Sequence, residues 1–205
     1  MVARARLADD EGMANASKQD RIDPGTIDMR TVVAELRTDH RNMAILLGLL
    51  RREILTARRG GDPDFDLLTD IMHYLTYYAD AVHHPREDLV YEKLDAAGQG
   101  NGLIFVESDH AELAADGKQL RDEVEAAISG AALAREKFVI DAMRYVERLE
   151  EHMRWEESDL FLRADGMGDE TVELGPLAVS DPVFGQDTSA RYASLLAHIR
   201  DAASG

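Results

Sequence analysis

Apolar residues recur three and four positions apart over most of the chain, the period of a helix that buries one face. The first stripe, Val32, Val33, Leu36, Met43, Leu47, Leu50 and Ile54, opens after Asp23-Pro24-Gly25 with Thr26 or Asp28 as N-cap and stops at Arg59-Gly60-Gly61. Asp62-Pro63-Asp64 opens a second, which turns Leu68, Met72, Leu75, Ala79, Val90 and Leu94 inward and ends in the glycine-rich stretch 98–102. A third runs from about Leu103 to Ser129-Gly130 on Leu103, Val106, Leu113, Leu120 and Val124. The fourth, from about Ala131 to Ala164, is carried by Phe138, Ala142, Tyr145, Leu149 and Leu160. Connections of only a few residues make neighbours antiparallel, so the pattern predicts an all-α fold, an up-down-up-down four-helix bundle over residues 26–165. Residues 1–25 read as a polar tail, and 166–205 as an extension ending in a short amphipathic helix packed outside the bundle.

Composition narrows the partners. A chain of 205 residues is long enough for one filled core and short for two. The formal net charge of −17 repels a phosphate backbone, and no segment gathers enough Lys and Arg to reverse that, so nucleic acid and anionic lipid are not expected partners. The absence of cysteine removes disulfides, thiolate-bound zinc, iron–sulfur clusters and a cysteine nucleophile. Any metal must be bound through nitrogen and oxygen. No apolar run has the length of a secretory signal or a membrane span, which makes a cytoplasmic protein without membrane contact the expectation.

The chemistry lies where polar residues interrupt the apolar stripes. On the third helix the seam reads 103, 106, 110, 113, 117, 120, 124, and position 110 is His110. On the fourth it reads 138, 142, 145, 149, 152, 156, and the last two are His152 and Glu156. His40 stands between Leu36 and Met43 on the first helix, and His83 and Glu87 between Ala79 and Val90 on the second. A carboxylate buried alone costs several kcal/mol and an unpartnered imidazole costs a buried hydrogen bond. Multivalent cations supply the compensation that such a set needs. Counted along antiparallel helices at about 1.5 Å per residue, the six side chains fall in one layer.

The chain also repeats itself. Asp39-His40 is followed after 42 residues by His83-x-x-x-Glu87, and Asp109-His110 after 41 residues by His152-x-x-x-Glu156. Each His-x-x-x-Glu pair sits at i and i+4, on one helix face and about a turn apart, so both side chains can reach one metal or straddle two. Two copies of one hairpin predict a pseudo-twofold dinuclear centre.

In this order of motifs the sequence resembles the hemerythrin-like family of cation-binding bundles, over about residues 29–164. The resemblance implies two non-haem iron ions joined by an oxo or hydroxo bridge, with His40, His83, His110 and His152 as terminal ligands and Glu87 and Glu156 as bridges. Manganese or zinc also suits imidazole and carboxylate donors. Two octahedral ions offer about twelve positions, of which these ligands and the bridge fill about ten, leaving roughly one open on each. The implied partner is a small diatomic, O2 or NO, to be bound, sensed or processed.

Oxygen-carrying hemerythrins place a further His four residues after the one on the third helix, where this chain has Ala114, and an Asp five residues after the last His, where it has Glu157. Reversible oxygen storage is therefore not the first expectation; a redox enzyme acting on NO, peroxide or iron is the alternative. Relatives that repair iron centres carry a cysteine-containing module, and this sequence has no cysteine. His84, about 100° around an α-helix from His83, reads as a supporting or surface residue, while Pro85 is expected to free the carbonyl of Ala81 and kink the helix.

Overall fold

In the computed structural model the described residues are 26–101, 106–130, 134–168, 170–173 and 188–202. The tail 1–25, Leu103 and the segments 131–133 and 174–187 lie outside them. Helix α1 spans Met29–Arg58 and α2 spans Phe65–His73. A π-helical segment, Tyr74–His83, carries α2 into α3, His84–Ala96. Helix α4 spans Val106–Ile128; α5, Arg135–Trp155, passes through a second π-helical segment, Glu156–Leu160, into α6, Phe161–Asp165. Helix α7 covers Thr188–Ala202. The class is all-α, as expected from the periodicity.

Helix ends follow local chemistry. Asp28 caps α1, accepting from the backbone N–H of Thr31 at 2.9 Å, and Asp64 caps α2 through the N–H of Leu67 at 3.0 Å. At the far end of α1 the chain turns away through Gly60 at φ 86°, a conformation open to glycine. The strands β1, Thr26–Asp28, and β2, Thr171–Glu173, pair antiparallel with Ile27 opposite Val172. The periodicity gives no sign of this pair, since three residues hold too short an alternation to register. It ties the segment after α6 to the start of α1.

Within the bundle α1 packs along α5, α5 along α4, and α4 along α2. All the seam residues named above whose side chains are described are buried, from Val32 to Leu160. At Gly117 the rods come close, because a Cβ there would stand 2.8 Å from Thr76 Cγ2 and 3.1 Å from the Tyr145 ring. Helix α7 packs on α2 and the first π-helical segment with Tyr192, Leu196 and Ile199 buried, in keeping with the expected outer helix. Among the described residues no helix is long and apolar enough to cross a membrane.

The core is divided. One apolar cluster holds Met43, Val82, Leu113, Leu149 and Met153; the other holds Leu36, Val90, Leu160 and Phe161. Between them three rods change from apolar to polar: His40 falls between Leu36 and Met43, His83 to Glu87 between Val82 and Val90, Glu156 between Met153 and Leu160.

Candidate metal centre

That polar layer is nearly sealed from solvent. Glu87 and Glu156 are 0% exposed, and His40, His83, His110 and His152 are all buried. The four Nε2 atoms converge on the two carboxylates. His83 stands 3.0 Å from Glu87, His152 3.1 Å from Glu156, and His40 3.4 Å from both. His110 lies 3.5 Å from Glu87 and 3.6 Å from Glu156. Each glutamate thus faces imidazoles from both halves of the repeat.

These approaches are close but not aimed as hydrogen bonds. Both oxygens of Glu87, both of Glu156, and Nε2 of His110 and His152 have no hydrogen-bond partner, although all are buried. Left so, each costs its desolvation penalty, about 1–3 kcal/mol and more for a charged group. Two donors bound at right angles to one ion, each about 2.1 Å away, stand about 3.0 Å from each other. The separations of 3.0–3.6 Å are those of donors sharing cations. The residues present fit a metal bound through nitrogen and oxygen.

The outer nitrogens repeat one arrangement. Nδ1 of His83 faces Asp39 at 3.3 Å, and Nδ1 of His152 faces Asp109 at 4.0 Å. Nδ1 of His40 faces Glu157 at 3.2 Å, and Nδ1 of His110 faces Asp88 at 3.5 Å. The pseudo-twofold therefore extends outward: the Asp before each lone His serves the His-x-x-x-Glu of its own half, and the acid after each Glu serves the lone His of the other. At His40 and His83 the carboxylate is within hydrogen-bond distance of Nδ1 and fixes the tautomer that leaves Nε2 free as a ligand, whereas Nδ1 of His152 has no hydrogen-bond partner. Glu157, off the apolar stripe, reaches the centre in this way.

Charge follows the geometry. Burial drives the imidazoliums down, but the surrounding carboxylates outweigh it, holding His40 up to about 10, His83 to about 9 and His110 to about 11. Glu87 is held well below the usual carboxylate range by His83 and its neighbouring imidazoles, against its burial. Burial and the Glu87 charge push Glu156 up, yet His110, His152 and His40 bring it to about 2. In the metal-free layer the two carboxylates thus favour protons on His40, His83 and His110. A cation entering near neutral pH must displace them.

The two π-helical segments end or begin on this layer, at His83 and at Glu156. Pro85, at the start of α3, has no N–H to give Ala81, and the helix answers by widening into i→i+5 turns ahead of it. The widened turn underwinds the rod, which turns His84 inward together with His83. His84 is 8% exposed, and the expectation of a surface place for it is corrected. Periodicity missed it because an α-helical register was assumed across residues 74–83.

Other histidines and aromatic residues stand further off. The Tyr78 hydroxyl donates to Asp39 at 2.7 Å and so reaches His83 only through that carboxylate; Tyr145 donates to the Leu75 carbonyl at 3.3 Å. His73 packs on Tyr77 and Tyr192, and His198 faces Asp70 at 3.7 Å. Trp155 helps line an opening at the surface that reaches Asp109 and His152.

Residues 31–164 match the model of the hemerythrin HHE cation binding domain. No curated protein and no solved structure matches the chain.

Proposed function

Because the chain belongs to the hemerythrin HHE cation-binding domain family, we propose that it is a non-haem di-iron protein whose centre binds, senses or processes a small diatomic such as O2 or NO. The observation that carries this reading is the pair Glu87 and Glu156, fully buried and side by side with all four oxygens unpartnered. Two carboxylates at the centre of a ring of imidazoles are what a pair of cations needs and what an apolar core does not tolerate. In this reading His40, His83, His110 and His152 hold the ions at their outer sides and Glu87 and Glu156 span them. Manganese or zinc would suit the same donors. The bundle alternates up-down-up-down over residues 26–165, with 1–25 and 166–205 as appendages, and the protein works in the cytoplasm without nucleic acid or membrane as partner.

Iron supplies electrons and exchangeable coordination positions. This chain's own residues do the rest. Asp39 and Glu157 orient the imidazoles of His83 and His40, Asp109 and Asp88 add negative charge beside His152 and His110, and the apolar clusters on either side keep water out. An opening lined by Asp109, Arg148, His152 and Trp155 lies at the surface beside the layer. The anaerobically reduced protein is expected to change its optical spectrum on mixing with NO, and within minutes on mixing with air. A reduced, metal-loaded protein indifferent to both gases would overturn the small-ligand reading and leave the cations as a structural staple.

A further inference from the structure

Resting on the two-cation reading, we propose that His84 is a fifth imidazole ligand, serving the cation held by His110, His152 and Glu87, so that the two metal positions are unlike. The ligand-capable atoms of His84, Glu87, His110 and His152 lie within 4.8 Å of one another, as do those of His40, His83 and Glu87. The set divides into three imidazoles on one side and two on the other, with Glu87 common to both.

The surroundings of His84 are those of the other four. Its Nδ1 faces a carboxylate, Asp80, one helical turn earlier at 3.4 Å, which leaves Nε2 for the cluster. Its ring stacks on His110 with centroids 4.0 Å apart and planes at 16°, and stands at 88° to His152. Ala114, one turn after His110, lines the same narrow cavity as His84, so the small side chain leaves room for this ring.

The repeat shows that His84 is an addition to the symmetric plan. In the other half the places of Asp80 and His84 are taken by Leu149 and Met153, both buried and apolar. Where His110 is stacked by His84, His40 is stacked by Phe161, with centroids 5.1 Å apart. A donor pair therefore stands on one side of the pseudo-twofold and hydrocarbon on the other. The His84 side would offer its ion three imidazoles and the His40 side two, so the second ion would be the less completely held. The exchangeable position belongs to the ion beside Phe161.

Two variants test this by metal titration of the metal-free protein. His84→Phe keeps a ring on His110 but removes the donor, and is expected to hold one ion as the parent does and the second more weakly by over about 100-fold, beyond the roughly 10–100-fold loss of a group that only orients a ligand. His84→Ala is expected to lose the same ion, and free imidazole added to the cavity should restore it along with the parent spectrum. A folded His84→Phe protein that takes up two ions with parental affinity and an unchanged spectrum overturns the proposal. A parent chain that holds fewer than two ions overturns the reading beneath it as well, so the two failures are told apart.

Discussion

Glu156→Ala is expected to empty the centre. Glu156 is 0% exposed, begins the second π-helical segment, and lies within 3.1–3.6 Å of His152, His40 and His110. Removing it takes away a donor shared by both ions and a negative charge from a layer that must balance several positive ones. It also leaves a cavity among residues that cannot close over it, since His152 is one turn away on the same rod. Altering groups that merely orient a metal ligand costs about 10–100-fold in affinity, and loss of a shared ligand should exceed that. Metal content after dialysis should fall from about two ions per chain, the number the donor set provides for, to well under one. Glu156→Gln, which keeps the volume and loses the charge, should fall nearly as far, while Glu157→Ala, which frees the outer nitrogen of His40 and the Arg37 guanidinium, should keep most of its metal. An alanine variant that retains both ions would remove Glu156 from the centre.

Stripping the metal should lower the thermal midpoint steeply without unfolding the protein at room temperature. At free metal about a thousand times the dissociation constant, each ion adds about 4 kcal/mol to the folded state. For a chain of this length each kcal/mol moves the midpoint by about 2–4 °C. Removal of two ions then predicts a drop of roughly 15–30 °C. The helices persist because protons replace cations: His40, His83 and His110 are held charged by Glu87 and Glu156 once the ions are gone. Differential scanning calorimetry with and without chelator measures the drop, and circular dichroism at about room temperature checks that helix remains. A shift of only a few degrees would mean that the layer does not depend on metal.

The bundle was legible because burial acts on apolar residues at fixed spacing. Leu36, Met43, Leu47 and Leu50 recur at helical intervals, and all are buried. The polar layer showed itself for the same reason, since a histidine or glutamate on a seam is conspicuous, and the duplicated motif tied the halves together. What the sequence hid was local geometry that leaves no period. Ten residues of π-helix, Tyr74–His83, carry no recurring pattern that separates them from α-helix. Pro85 marks where the disturbance lies but not how the chain resolves it, and so the sequence left His84 between a supporting and a surface place. Asp88 left no mark and Glu157 showed only as a residue off the stripe, because both sit one step off the seam, although each directly follows a seam glutamate. The pairing of Ile27 with Val172 joins segments far apart in sequence, which a local pattern does not reveal.

Metal analysis of the purified protein, read together with its optical spectrum, tests the central claim most directly. The account predicts close to two iron atoms per chain after growth in iron, with the near-ultraviolet absorption of an oxygen-bridged ferric pair. A single mononuclear metal, or none, would contradict it.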